Sequence, residues 1–159
     1  MGTKNTDLVA NFEATPQVKN SAAELHGVLR TANGTVELDT GDSDNDDIVM
    51  LAPIPSNAAV PSLFIGSDTF GGSCTFNVGI YTTDGTVKDE DVFATDVADA
   101  GAMADVRFEA ADINTAGQKM FELAGDTTDP GGYYYIAVTM SAAGGTAGTL
   151  SWNISYVVN

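Results

Sequence analysis

Between residues 42 and 81 the chain reads DSDNDDIVMLAPIPSNAAVPSLFIGSDTFGGSCTFNVGIY, three short apolar runs with every charge confined to the connections. The first run, Ile48-Val49-Met50-Leu51-Ala52, is uninterrupted and the second centres on Leu63-Phe64-Ile65. The third alternates, Phe76, Val78 and Ile80 against Thr75, Asn77 and Gly79. Apolar runs of this length, bounded by Gly, Pro, Asn and Asp, are strand signals. A tight Pro-x-Pro-Ser-Asn connection separates the first two, and all three runs read as core.

The pattern continues on both sides. Glu24–Ala32 reads as a strand, followed by an Asn33-Gly34 hairpin turn into Thr35–Leu38, and Asp84-Gly85 marks a second hairpin after Tyr81. Lys119–Leu123 reads as a further strand, and Asp129-Pro130-Gly131-Gly132 as a turn. Tyr133–Thr139 and Thr149–Val158 close the chain as two strands. In the last of these Leu150, Trp152, Ile154 and Tyr156 share one face, the period of a half-buried antiparallel strand. Val97–Ala111 is ambiguous, fitting a short helix weakened by Gly101 or a strand around Arg107-Phe108-Glu109. About eight short strands with little helix predict an all-β protein, an antiparallel β-sandwich of jelly-roll-like form.

Residues 24–159 are expected to form this one domain. Residues 1–23 are expected to be an extended N-terminal arm, because Pro16 forbids a regular helix through the middle and the isolated Leu8, Val9, Phe12 and Val18 bury little alone. Such an arm either contacts a neighbour or forms a tail or edge strand of its own domain. The start of the chain has no apolar leader, so no signal peptide is expected. Met1-Gly2 gives only weak support for myristoylation.

Charge narrows the function. The net charge is −16, and it is uneven: −1 over residues 1–38, −12 over 39–105 and −3 over 106–159. Such a chain repels phosphate backbones, so no nucleic-acid partner is expected. No stretch approaches the roughly 20 apolar residues of a membrane span, so no membrane partner is expected either. The single Cys74 cannot form an intrachain disulfide. His26 stands alone with no Gly-x-Ser-x-Gly elbow, Gly71-Gly72-Ser73 lacks the lysine of a phosphate loop, and no motif selects one carboxylate pair from 22 acids. The chain is read as a non-enzyme.

One metal hypothesis has a spacing argument. Asp42, Asp44 and Asp46 occupy positions 1, 3 and 5 of a loop, where carboxylates can converge on calcium. Asp47 stands where an EF-hand needs its glycine and Pro53 where it needs its glutamate, so only an irregular calcium loop remains open against a solvated acidic turn. No other cofactor is expected.

The succession ELHGVLRTANGTVEL, IVMLAPIPSNAAV, SLFIGSD, TFNVGIYTTDG and DEDVFATD, covering Glu24 to Asp96, resembles small virion structural proteins of tailed bacteriophages, of the head-decoration (cement) type. The resemblance implies a non-enzymatic protein, made in the host bacterial cytoplasm, that binds the outer capsid surface and stabilises the shell by bridging coat subunits. Its implied partners are the major capsid protein and itself, as a homo-oligomer, a trimer. It carries over no functional residues. On this reading the near-neutral arm grips the lattice or a sister subunit, with Leu8, Val9, Phe12 and Val18 as its contacts, while the acidic loops 39–47 and 84–99 face solvent. A tail or minor capsid component is the nearest alternative, and a sandwich module binding carbohydrate or calcium is the alternative from another class.

Overall fold

A computed structural model describes residues 6–20, 25, 27–99 and 101–158; His26 lies outside them. Eight strands form the body: β1 (Leu29–Leu38), β2 (Ile48–Pro55), β3 (Ala58–Ser67), β4 (Thr75–Tyr81), β5 (Val87–Ala98), β6 (Ala104–Asp105), β7 (Tyr133–Ala142) and β8 (Gly148–Val158). They make two four-stranded antiparallel sheets, ordered β1-β8-β3-β6 and β2-β7-β4-β5. The pairings β1 with β8, β2 with β7, β3 with β6 and β4 with β5 nest inside one another. The chain is thus a long hairpin folded over itself, which is the jelly-roll sandwich expected from the sequence.

The three apolar runs of residues 42–81 are three strands, but they alternate between sheets. A two-residue turn at Ser56-Asn57 carries the chain from β2 in one sheet to β3 in the other. Inward side chains from both sheets meet in one core: Ile54, Leu63, Phe76, Val78, Ile80, Phe93, Ile136, Val138, Leu150 and Ile154 are all buried. The hairpin at Asp84-Gly85 forms, with Gly85 at φ +87° and its N–H donating to the Thr82 carbonyl. The turn before β7 also forms, Asp129 accepting from the Gly131 N–H ahead of two glycines at positive φ.

Three local expectations are corrected. There is no turn at Asn33-Gly34: β1 runs straight through, paired residue for residue with β8 from Leu29↔Val157 to Leu38↔Gly148. The glycine is needed for close approach instead, since a Cβ at Gly34 would stand 2.7 Å from Cζ2 of Trp152. Lys119–Leu123 is not a strand; only Lys119 makes an isolated bridge, to Ala59, and Met120–Leu123 (α2) is one helical turn. Met120 and Leu123, three apart, turn into the core, and the Glu122 carboxylate caps the Lys119 N–H at 2.7 Å. The arm is not extended throughout, because Pro16 leaves Asp7–Glu13 free to form a helix (α1) ahead of it.

The ambiguous region resolves without an α-helix among its described residues. β5 continues to Ala98, β6 pairs briefly with Phe64 and Ile65, and Arg107 lies in a turn before a 3-10 segment at Ile113–Gly117.

Candidate interaction surfaces

Asp42, Asp44 and Asp46 lie in a loop whose carboxylates are used to shape it. Asp42 accepts the Asp39 N–H at 2.9 Å, and Asp47 accepts the Asp44 N–H at 2.8 Å. Asp46 takes a left-handed φ of 69°, and its N–H donates to Met140 O at the end of β7. Ser43 between them is buried under Gly144. Among the described residues no three His, Cys, Asp or Glu side chains gather closely enough to hold a metal ion. Cys74 is buried, and burial first, then the nearby Asp99 charge, pushes its thiol pKa up, away from a reactive thiolate.

Arg107 is the buried charge that sequence reasoning missed. It has no accessible surface, and its Nε donates to Val60 O at 2.7 Å while an Nη donates to Thr115 O at 3.0 Å. The guanidinium sits 4.9 Å from the Phe93 ring centre and 4.7 Å from that of Phe108. Burial pushes its pKa down to about 10, partly offset by Asp105, so it stays charged at neutral pH. It ties β3 to the 3-10 segment, which is a structural task. The alternation of Phe93, Arg107 and Phe108 through an irregular segment left no periodic signal that could have shown it.

A depression of about 400 Å³ opens where the β4–β5 hairpin meets the loop before β7, lined by Thr82, Lys88, Asp126, Pro130, Tyr133 and Tyr134 among others. Asp126 is already engaged: Lys88 Nζ lies 2.8 Å from it and the Tyr134 hydroxyl donates to it. Those donors hold the carboxyl pKa low. Burial first, then the bond to Asp126, pushes Tyr134 up to about 12. This is a braced corner rather than a set of free groups aimed at a ligand, and Trp152, the lone tryptophan, packs inward against Gly34.

The faces of the sheets are more informative. Strands β2, β3, β4, β7 and β8 contain no charged residue at all. On the outer face of the β1-β8-β3 sheet, Thr31, Asn33, Ser151, Asn153, Ser155 and Phe64 form an uncharged patch that ends at Glu37, whose carboxylate accepts from Thr149 Oγ1; strand pairing sets Asn33 beside Asn153, and Asn153 beside Phe64. The outer face of β4 is closed, because β5 passes so near that a Cβ at Gly79 would be 2.1 Å from Asp89 O.

Beside it, β2 and the start of β7 expose apolar side chains, bordered at Ile48 and Met50 by Asp42 and Asp47. Pairing sets Ile48 by Thr139, Met50 by Ala137, Pro53 by Tyr135 and Pro55 by Tyr133. Ile48 is 45% exposed, Met50 38% and Tyr133 56%. The reading of Ile48–Ala52 as core is therefore half right: Leu51 and Ala52 are buried, Ile48 and Met50 are not. An unbroken apolar run suggests burial on both faces, but β2 is an edge strand, and Pro53 and Pro55 were the signal for that.

The arm candidates stay on the surface. Leu8 is half-buried, and Val9, Phe12 and Val18 are exposed, Phe12 at 62%. Residues 17–20 turn back along α1: Val18 N donates to Asn11 O, the Asn20 amide to Leu8 O and Gln17 to Phe12 O.

Comparison with solved structures places the fold. The chain is similar to one in the capsid asymmetric unit of cyanophage Pam1, with a TM-score of 0.52 and 14% identity over 84% of this chain and 86% of that one. It also resembles a chain from the capsid of Ralstonia phage GP4, TM-score 0.49 and 20% identity over 84% and 86% of the two chains. A third likeness is to a capsid chain of Helicobacter pylori bacteriophage KHP30, TM-score 0.39 and 13% identity over 82% and 94%. No family model and no curated protein sequence matches. At such identities the likeness to the Pam1 chain is one of fold: both are built on the same kind of jelly-roll body.

Proposed function

We propose that this protein is a virion structural protein of a tailed bacteriophage, acting as a decoration (cement) protein that binds the outside of the head and stabilises it by bridging coat subunits. The observation that carries the reading is the fold likeness to a chain of the Pam1 capsid, which extends over most of both chains. Three features support the finer role. A net charge of −16 is unfavourable beside packaged DNA and harmless on the outer surface. The described residues hold no constellation arranged for catalysis. The longest described helix, Asp7–Glu13, is far from the long spine helix of the common coat fold.

In this role the uncharged sheet faces and the arm, with Leu8, Val9, Phe12 and Val18, meet coat or sister subunits, while loop 39–47 faces solvent. The major capsid protein is the partner, and the protein acts as a homo-oligomer, a trimer fitting local threefold positions. Quantifying the protein in purified virions tests this. A copy number comparable to that of the coat protein, with release on mild heating and concurrent loss of head stability, is expected. A few copies per particle would move the protein to the tail, and absence from virions would end the reading.

A further inference from the structure

Four strands end the two sheets, β1 and β6 in one, β2 and β5 in the other. Three of these edges are guarded against a further strand. β6 is two residues long. β2 carries Pro53 and Pro55, which remove N–H donors. β5 carries Lys88, Asp89, Glu90, Asp91 and Asp96, and three register shifts break its pairing with β4. β1 has none of these protections. Its ten residues contain no proline and pair with β8 without a bulge. Alternate N–H and C=O groups point away from β8, where no described strand pairs with them.

We infer that this edge pairs with the same edge of a second copy, antiparallel about a twofold axis at Asn33. The sequence of β1 is self-complementary in that register. Thr31-Ala32-Asn33-Gly34-Thr35 sets Asn33 beside the second copy's Asn33, Ala32 beside its Gly34 and Thr31 beside its Thr35. A carboxamide both donates and accepts, so two Asn33 side chains bond each other across the axis. Threonine pairs on neighbouring strands are favourable, and Thr31, Asn33 and Thr35 are all exposed on the outer face. On the inner face the small Ala32 comes next to a Gly34 already covered by its own Trp152 indole, so no bulky side chains collide. The two charges of β1, Arg30 and Glu37, are opposite in sign and lie at opposite ends. Antiparallel pairing brings Arg30 across from Val36 and one step from Glu37 of the second copy, with no like charges opposite one another. Val28 and Leu29, 71% and 58% exposed, come to lie beside the second copy's Leu38 and Glu37. Pairing from Leu29 to Glu37 supplies about eight main-chain hydrogen bonds, close to the count in an interface of standard size. A twofold pair uses the same edge on both copies, so it closes and leaves no free edge for open-ended growth.

The inference rests on the decoration role only for what the contact joins, one trimer to the next on the shell. The isolated full-length protein tests it without virus. Asn33→Cys, on the axis, should give a covalent dimer under mild oxidation, since Cys74 is buried and does not compete. Thr31→Cys and Thr35→Cys should cross-link when mixed but not singly, because each position faces the other. In analytical ultracentrifugation, Thr31→Lys combined with Thr35→Lys should weaken association about tenfold by setting like charges opposite, even though it reduces the overall negative charge. Thr31→Lys combined with Thr35→Glu should restore it. An Asn33→Cys chain that gives no covalent dimer, a Thr35→Cys chain that cross-links with itself as readily as with Thr31→Cys, or association strengthened by the two lysines would overturn the inference. Failure here leaves the virion copy number as an independent test of the role.

Discussion

Gly34 lies directly opposite Trp152 across the β1–β8 pair, with the indole occupying the space where any other residue would place its Cβ. Gly34→Ala is therefore expected to displace the ring or the edge strand. Overpacking of this kind costs about 1–3 kcal/mol. At roughly 2–4 °C per kcal/mol for a chain of this size, calorimetry will resolve the shift in Tm. Trp152→Leu should absorb most of the effect, so a double-mutant cycle is expected to show strong coupling. Simple additivity would mean that the ring has room to move.

A harsher outcome is expected at Gly79. There the obstacle is backbone, Asp89 O and Glu90 C at 2.1 and 2.3 Å from the notional Cβ, and backbone cannot swing aside as a ring can. Gly79→Ala should cost more than Gly34→Ala and should raise hydrogen exchange in β5 specifically. Equal cost at the two sites would contradict this.

Arg107→Met keeps the stem between Phe93 and Phe108 but leaves the Val60 carbonyl without its guanidinium donor, while Thr115 O keeps only the Gln118 N–H. A buried carbonyl left unpaired costs about 1–3 kcal/mol. A large fall in stability in urea denaturation is expected, and Arg107→Lys should not restore it, since an ammonium cannot span both carbonyls. A more stable methionine variant would show that desolvating the guanidinium outweighs its bonds.

The Asp126 corner should titrate. Its donors, the Lys88 ammonium first and then the Tyr134 hydroxyl, hold its folded pKa below that of the unfolded chain. Its contribution is thus complete above the ordinary carboxylate range near about 4 and disappears as pH falls through the lower folded value. The Tm difference between wild type and Asp126→Asn should be constant from pH 6 to 7 and vanish in strong acid. A gap that widens on acidification would reverse the sign of this argument.

Salt separates general repulsion from a specific cation site. Screening of a surface at −16 should raise Tm as sodium chloride increases from low concentration. Calcium chloride at matched ionic strength is expected to add little, because Asp42 and Asp47 are committed to backbone N–H groups of their own loop. A calcium-specific increment abolished by Asp44→Asn would show instead that Asp42, Asp44 and Asp46 converge on one ion.

The fold was legible wherever burial imposed a local period. β8 announces itself because Leu150 and Ile154 enter the core while Ser151, Asn153 and Ser155 do not. Asn33-Gly34 misleads because the hairpin signal is a property of neighbours in sequence, whereas the glycine answers to a tryptophan more than a hundred residues away. Lys119–Leu123 misleads because five residues can satisfy either period, and only the depth of Met120 and Leu123 decides for the helix. The apolar surface on β2 and β7 could not be read at all without register: Ile48, Met50 and Tyr133 become one surface only once β2 and β7 are paired. The Asp42, Asp44, Asp46 spacing was visible, but the direction of each carboxylate depends on how the loop closes.

The nested pairing also governs how the protein comes into being. β8, the last of the eight strands in chain order, is an interior strand of its sheet, lying between β1 and β3. That sheet cannot assemble on the ribosome until residues 148–158 have emerged, so the nascent chain must wait with long strands unpaired. Contacts this distant in sequence make folding slow and expose the chain to misassociation in the meantime. The strong negative charge of residues 39–105 then acts as a safeguard during biogenesis, holding unfinished chains apart until the final strand inserts.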